Sequence, residues 1–168
     1  MEGEIVNRVA NSALITINLE EFYPEGERVT LDISQWLLEG LVLREKEFRD
    51  TVKNIDTTIY KDAYVALYCS TEAIIPAWAY MLVTSQLSGI ARKVVVGSLA
   101  DLETLLFAEI IQSMEVSNFK NKPVIIKGCA HKPIPENAYI LLTQKLRNVA
   151  KSVMYGEACS AVPLFKNK

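Results

Sequence analysis

Three cysteines and a single histidine carry most of the reactive chemistry in this chain of 168 residues. The cysteines are Cys69, Cys129 and Cys159, and the histidine is His131. An odd count argues against a fully paired disulfide framework, so free thiols are expected. A thiolate can ligate a soft metal or act as a nucleophile. Three of them suit Zn²⁺, iron or an iron–sulfur cluster far better than Mg²⁺ or Ca²⁺. Glu72, His131 and Glu157 lie close to them in sequence and are candidates for a fourth ligand or an acid–base group. No Cys-x-x-Cys pair occurs, so such a site has to be assembled by the fold.

Two of the cysteines open a repeated phrase. A shift of 59 residues, the difference between positions 75 and 134, carries Ile75-Pro76 onto Ile134-Pro135. The same shift carries Ala79, Tyr80, Leu82, Thr84 and Leu87 onto Ala138, Tyr139, Leu141, Thr143 and Leu146. It also matches Ala91 to Ala150, Val94 to Val153 and Gly97 to Gly156. Each copy reads strand, cysteine, loop, Ile-Pro, helix, strand, glycine. This pattern predicts an internal duplication, with repeats at about 63–98 and 123–157.

The elements that position these residues follow from periodicity. Short apolar runs at 63–68, 93–97, 123–127 and 152–155 predict buried strands. They alternate with helical patterns at 75–88, 102–114 and 135–150, which calls for right-handed crossovers. Proline at the start of two of these helices costs little, because its missing N–H would be unpaired there. Upstream, residues 13–18 and 28–33 are rich in β-branched residues and flank Tyr-Pro-Glu-Gly-Glu, which predicts a hairpin or a pair of edge strands. Asp32 or Ser34 can then cap a long helix whose apolar set is Trp36, Leu37, Leu41, Phe48 and Val52. Its charged stretch from Arg44 to Lys53 reads as a solvated face. The expected fold is a single α/β domain over 1–168, with one mainly parallel sheet built from the two repeats.

In such a sheet all three cysteines fall at the carboxyl edge, where open α/β proteins place their sites. Helices starting just beyond Cys69 and Cys129 would favour thiolate, and Lys127 and Lys132 flank Cys129. The reading drawn from this is a metal-binding protein with Cys69, Cys129 and Cys159 as ligands of an iron–sulfur cluster or a Zn or Fe ion. Two alternatives stand beside it. One is a metal-free persulfide carrier or sulfurtransferase using Cys129. The other is a structural or partner-binding protein, such as a homodimer, with merely buried cysteines.

Other classes find little support. The net charge is −2, from 18 basic and 20 acidic residues, and no run of like charges marks a nucleic-acid surface. No apolar stretch reaches the roughly 18 residues that span a bilayer. The start, Met-Glu-Gly-Glu, lacks the layout of a signal peptide, so a cytoplasmic protein is expected. There is no glycine-rich phosphate loop and no Gly-x-Ser-x-Gly motif.

Three phrases are distinctive: Asn18-Leu-Glu-Glu-Phe-Tyr-Pro24, Ile125-Ile-Lys-Gly-Cys129 with Lys132-Pro-Ile-Pro135, and the ending Lys151-Ser-Val-Met-Tyr-Gly-Glu-Ala-Cys-Ser-Ala-Val-Pro-Leu-Phe-Lys166. Through them the chain resembles an uncharacterised bacterial family filed as domain of unknown function 2480, from about Asn11 to Lys166. The resemblance brings no activity or ligand set. It implies a role alongside iron–sulfur assembly proteins, which would then be partners.

Overall fold

A computed structural model describes residues 14–128, 131–157 and 159–167. The chain divides into two compact units. One comprises Pro24–Leu105, and the other Met1–Tyr23 together with Leu106–Lys168. We call them the β3 unit and the β5 unit, after the strand at the centre of each.

The β3 unit holds a parallel sheet in the order β2-β3-β4, formed by Arg28–Asp32, Tyr64–Tyr68 and Lys93–Val96. The β5 unit holds β1 (Ile15–Ile17), β5 (Pro123–Ile126), β6 (Ser152–Tyr155) and β7 (Val162–Lys166) in the order β1-β5-β6-β7. There β1, β5 and β6 run parallel and β7 runs antiparallel to β6. The mixed α/β class with mainly parallel pairing is therefore borne out, but in two sheets and not one. β1 and β2 do not form a hairpin, because each lies at an edge of a different sheet.

Each central strand is buried at its inner residues, which is why Val65-Ala66-Leu67 and Val124-Ile125-Ile126 read as continuous apolar runs. Helices cover them. In the β3 unit, α1 (Glu45–Lys53) brings Phe48 and Val52, and α2 (Ala77–Leu87) brings Ala79, Val83 and Leu87, into a core with Leu31, Val65 and Leu67. α3 (Leu99–Ser113) begins in the β3 unit, and in the β5 unit its part from Leu106 brings Phe107 and Ile111, and α4 (Glu136–Leu146) brings Ala138, Leu142 and Leu146, against Ile17, Val124 and Ile126.

Several positions 59 residues apart take like places in the two units. The 59-residue shift carries Phe48 onto Phe107 and Val52 onto Ile111, extending the match upstream of the repeated phrase. Asp62 and Asn121 both take a left-handed backbone with φ 57°, a conformation to which Asp and Asn are suited. Their N–H groups donate to the carbonyls of Ile90 and Val149. Gly97 and Gly156 end β4 and β6 with φ of 136° and 122°. A Cβ at Gly97 would lie 2.6 Å from Asp101 Oδ2, so only glycine fits.

Two sequence expectations fail locally. The long helix from Asp32 is interrupted: a 3₁₀ turn, Ile33–Trp36, is followed by a tight reversal at Glu39 and Gly40, both with positive φ, that pairs Leu38 with Val42. Helix resumes only at Glu45. No strand is expected beyond 152–155, yet Val162–Lys166 forms β7, an edge strand that tolerates Pro163.

On the other face of the β3-unit sheet, the Arg28 guanidinium bonds Glu103 Oε1 at 2.7 Å, with side chains only 13% and 7% exposed. Arg28 also donates to the carbonyls of Pro24 and Gly26 and lies 4.8 Å from the Tyr64 ring centroid. The pair fixes the entry to β2.

Because Phe48 and Phe107 are fully buried at matched positions, Phe48→Ala and Phe107→Ala are each expected to cost about 3–5 kcal/mol. Urea denaturation at neutral pH measures this, and a loss below about 1 kcal/mol for either would contradict the assigned cores.

Candidate functional site

In each unit the carboxyl end of the sheet is organised by an acid that follows the edge strand. In the β3 unit Asp32 ends β2, and its Oδ1 accepts the Ser34 N–H at 2.9 Å and the Ser70 N–H at 3.1 Å. The Ser34 and Ser70 hydroxyls are 2.9 Å apart. Partial burial pushes the Asp32 carboxyl up, but hydrogen bonds from Ser70 and Ser34 outweigh it and hold the group at about 2. In the β5 unit Asn18 follows β1 and accepts the Glu20 N–H. Glu20 Oε1 then accepts the backbone N–H groups of His131 and Lys132, the latter at 2.7 Å. The Lys132 N–H lowers the Glu20 carboxyl most, against a smaller upward push from burial.

Both acids therefore pin the loop that leaves a central strand. In the β3 unit a second tie follows: Thr71 Oγ1 donates to the Gly40 carbonyl at 2.5 Å, and Cys69 Sγ lies 3.3 Å from the same hydroxyl. The loop after β3 is thereby held to the Leu38–Val42 reversal. In the β5 unit Gly128 lets Tyr155 approach, since a Cβ there would lie 2.9 Å from the ring.

The cysteines do not make the expected site. Cys69 is half-buried against the core of the β3 unit. It adjoins Tyr80, whose hydroxyl is pushed up first by burial and then by the nearby sulfur. Cys159 is exposed in the loop between β6 and β7, within the β5 unit. Cys129 lies outside the described residues. His131 is exposed, and its contribution to the loop is a backbone N–H. Glu72 is exposed, and Glu157 is half-buried with its carbonyl accepting the Ser160 N–H. Among the described residues no group of three His, Cys, Asp or Glu side chains could hold a metal ion. The reading as an iron–sulfur or metal protein is thereby overturned. Its physical error was to place both cysteine-bearing loops on one sheet edge, whereas β3 and β5 belong to different sheets. The first turn of α2 also begins at Ala77, eight positions beyond Cys69.

What the pinned loop does build is a groove of mixed polarity, with several aliphatic side chains on its walls. Leu41, Val42, Leu43, Ala73, Ile74, Pro76 and Trp78 line a cleft of about 600 Å³, with Glu45 and Glu72 as its charged members. Ile74 is 93% exposed, Leu41 58% and Val42 53%. Trp78 forms one wall, held edge-on to Phe48 at 5.8 Å and covered by the Arg49 guanidinium at 5.0 Å. The sequence signal for this groove is the uncharged run from Ala73 to Val83. No helix among the described residues is long and apolar enough to cross a membrane.

The chain belongs to the family described as Protein of unknown function (DUF2480), whose sequence profile matches residues 3–167. No curated protein and no solved structure matches it. For this DUF2480 member the geometry of the chain is thus the evidence on function.

Asp32 supplies a pH test. Its folded value, about 2, lies below the ordinary 3.8. The stability it contributes is full above that ordinary value and is lost as the pH falls towards about 2. Wild type is expected to lose more stability than Asp32→Asn between pH 4 and pH 2, roughly the span of the two values. Parallel acid-unfolding curves would contradict this, as would an NMR titration of Asp32 with an unshifted midpoint.

Proposed function

We propose that this chain is a partner-binding protein whose groove receives an apolar protein segment flanked by lysine or arginine. The observation that carries the reading is the pairing of the groove with α2. A surface helix normally turns charged or polar residues to water. Every residue of α2, from Ala77 to Leu87, is uncharged, yet Met81 is exposed beside the groove-lining Trp78. Its counterpart α4 buries the matched triad and exposes Ile140 at the position matching Met81, but carries Glu136 and Lys145. Exposed aliphatic side chains concentrated at one cleft mark an interaction site more than scattered ones do.

Charge selects the occupant. Of the ionised residues lining the groove, Glu45 already pairs with Arg49 at 2.8 Å, so Glu72 is the carboxylate that a basic residue beside the apolar anchors complements. The two ties at Ser70 and Thr71 hold the loop that presents Ile74, which reduces the ordering cost of binding.

The test is a selection from a random peptide display library on the immobilised full-length chain. Enriched peptides are expected to carry two or three apolar residues next to Lys or Arg. Their affinity should fall at least about tenfold, or about 1.4 kcal/mol, for Ile74→Glu and for Glu72→Lys. Ile74 is almost wholly exposed, so the fold is expected to survive its replacement. Peptides that bind these variants as well as wild type, or no enrichment at all, would overturn the proposal.

A further inference from the structure

The loop that leaves β5 holds an anion against its main chain. Two successive N–H groups, those of His131 and Lys132, converge on one oxygen of Glu20, the second at 2.7 Å. Successive N–H groups aimed at one point are the main-chain arrangement that binds oxyanions. The surroundings are basic. Lys127 follows β5 directly, and Lys132 Nζ lies 5.3 Å from the ring centroid of Tyr23, just past the 3₁₀ turn Leu19–Phe22 that carries Glu20. The Glu20 carboxyl is lowered first by the Lys132 N–H, and further by the His131 N–H and the charges of His131 and Lys127. The side chains of Lys127 and His131 make no hydrogen bond or ion pair among the described residues. The place is the carboxyl end of the parallel pair β1 and β5, the edge at which open α/β sheets bind ligands. The β3 unit shows what pinning alone requires. There Asp32 takes the Ser70 N–H. Shifts of 59 or 60 residues carry Lys127, His131 and Lys132 onto Tyr68 or Leu67, Glu72 or Thr71, and Ala73 or Glu72, none of them basic. The basic side chains are an addition of the β5 unit that holding a loop does not need.

We propose that the His131–Lys132 main chain, with the Lys127 and Lys132 ammonium groups, binds the phosphate group of a small molecule, and that Glu20 fills this site when no ligand is present. The site belongs to the β5 unit and does not rest on the groove. The chemistry favours phosphate over a second carboxylate. Glu20 brings one negative charge, and both N–H groups share a single one of its oxygens. A phosphate monoester carries roughly −1.5 to −2 charges at pH 7 and three strong acceptor oxygens. It can take both N–H groups and still meet the two lysines with charge-assisted bonds. A carboxylate ligand would only exchange like for like. The long Glu20 side chain gives up rotamer freedom to close on the loop and regains it on displacement. The loop keeps its place without it. The Lys127 N–H donates to the Ile17 carbonyl at 2.9 Å, and the Ile134 N–H to the Lys132 carbonyl at 2.8 Å. Glu20 is thus an internal competitor, which excludes weak monoanions and yields to a more highly charged one.

Amide chemical shifts of the full-length chain, titrated with inorganic phosphate at neutral pH and constant ionic strength, test this. Wild type is expected to show saturable shifts of the His131 and Lys132 amides. Glu20→Ala removes the competitor and is expected to bind phosphate at least about tenfold more tightly. Glu20→Gln keeps the side-chain length without the charge, and its affinity should fall between the two. Replacing Lys127 and Lys132 with alanine in the Glu20→Ala chain is expected to abolish the gain. Acetate over the same range should move these amides far less than phosphate does. His131 and Lys132 amides that stay unmoved by phosphate in wild type and in both Glu20 variants would overturn the proposal. So would acetate that matches phosphate, or an affinity that the lysine replacements leave unchanged. Should Glu20→Ala fail to fold, a Glu20→Gln chain that binds phosphate no more tightly than wild type would overturn it equally.

Discussion

A strand with both faces out of water is the constraint that shapes each unit. β3 and β5 expose almost nothing along their central residues, and a parallel strand of that kind needs helices laid over it. The chain meets the need twice with the same parts. An edge strand from the N-terminal region pairs beside the central strand, one helix delivers a phenylalanine, and the next delivers an alanine and two larger aliphatic residues. Once these are fixed, the loops at the carboxyl ends have short spans to bridge. Asp32 and Glu20 then supply the acceptors that their backbone N–H groups require.

The consequences for function lie where the two units diverge. α4 carries the charged residues Glu136 and Lys145, and α2 carries no charge. β6 is flanked by β7, and β4 is not flanked by a described strand on its outer side. The loop after β3 is tied down at Ser70 and Thr71 and lifts Ile74 into solvent. These differences leave Ile74, Met81 and Val96 exposed in the β3 unit.

Much of the architecture could be read from the residues. The strands at 63–68, 93–97, 123–127 and 152–155 and the helices between them followed from short apolar runs and helical spacing, and they stand within a few residues of those bounds. Asp32 was recognisable as a cap, though of a 3₁₀ turn. The break at Glu39-Gly40 was hidden because the apolar spacing of Trp36, Leu37 and Leu41 fits a helix, while the backbone reverses. β7 was hidden by Pro163, which argues against a central strand but not against an edge. The candidate site failed for a topological reason. Periodicity fixes which segments are strands but not which sheet each joins, and the inferred meeting of Cys69, Cys129 and Cys159 needed a single sheet.

The measurement that bears most directly on the account is an amide chemical-shift map of the full-length chain titrated with a library-selected peptide. Binding as described shifts the amides of Leu41–Leu43 and of Glu72–Trp78, the Trp78 indole among them, and leaves the amides of β5, α4 and β6 unmoved. Shifts concentrated instead around Lys127, His131 and Cys159, with the Ile74 amide silent, would contradict it.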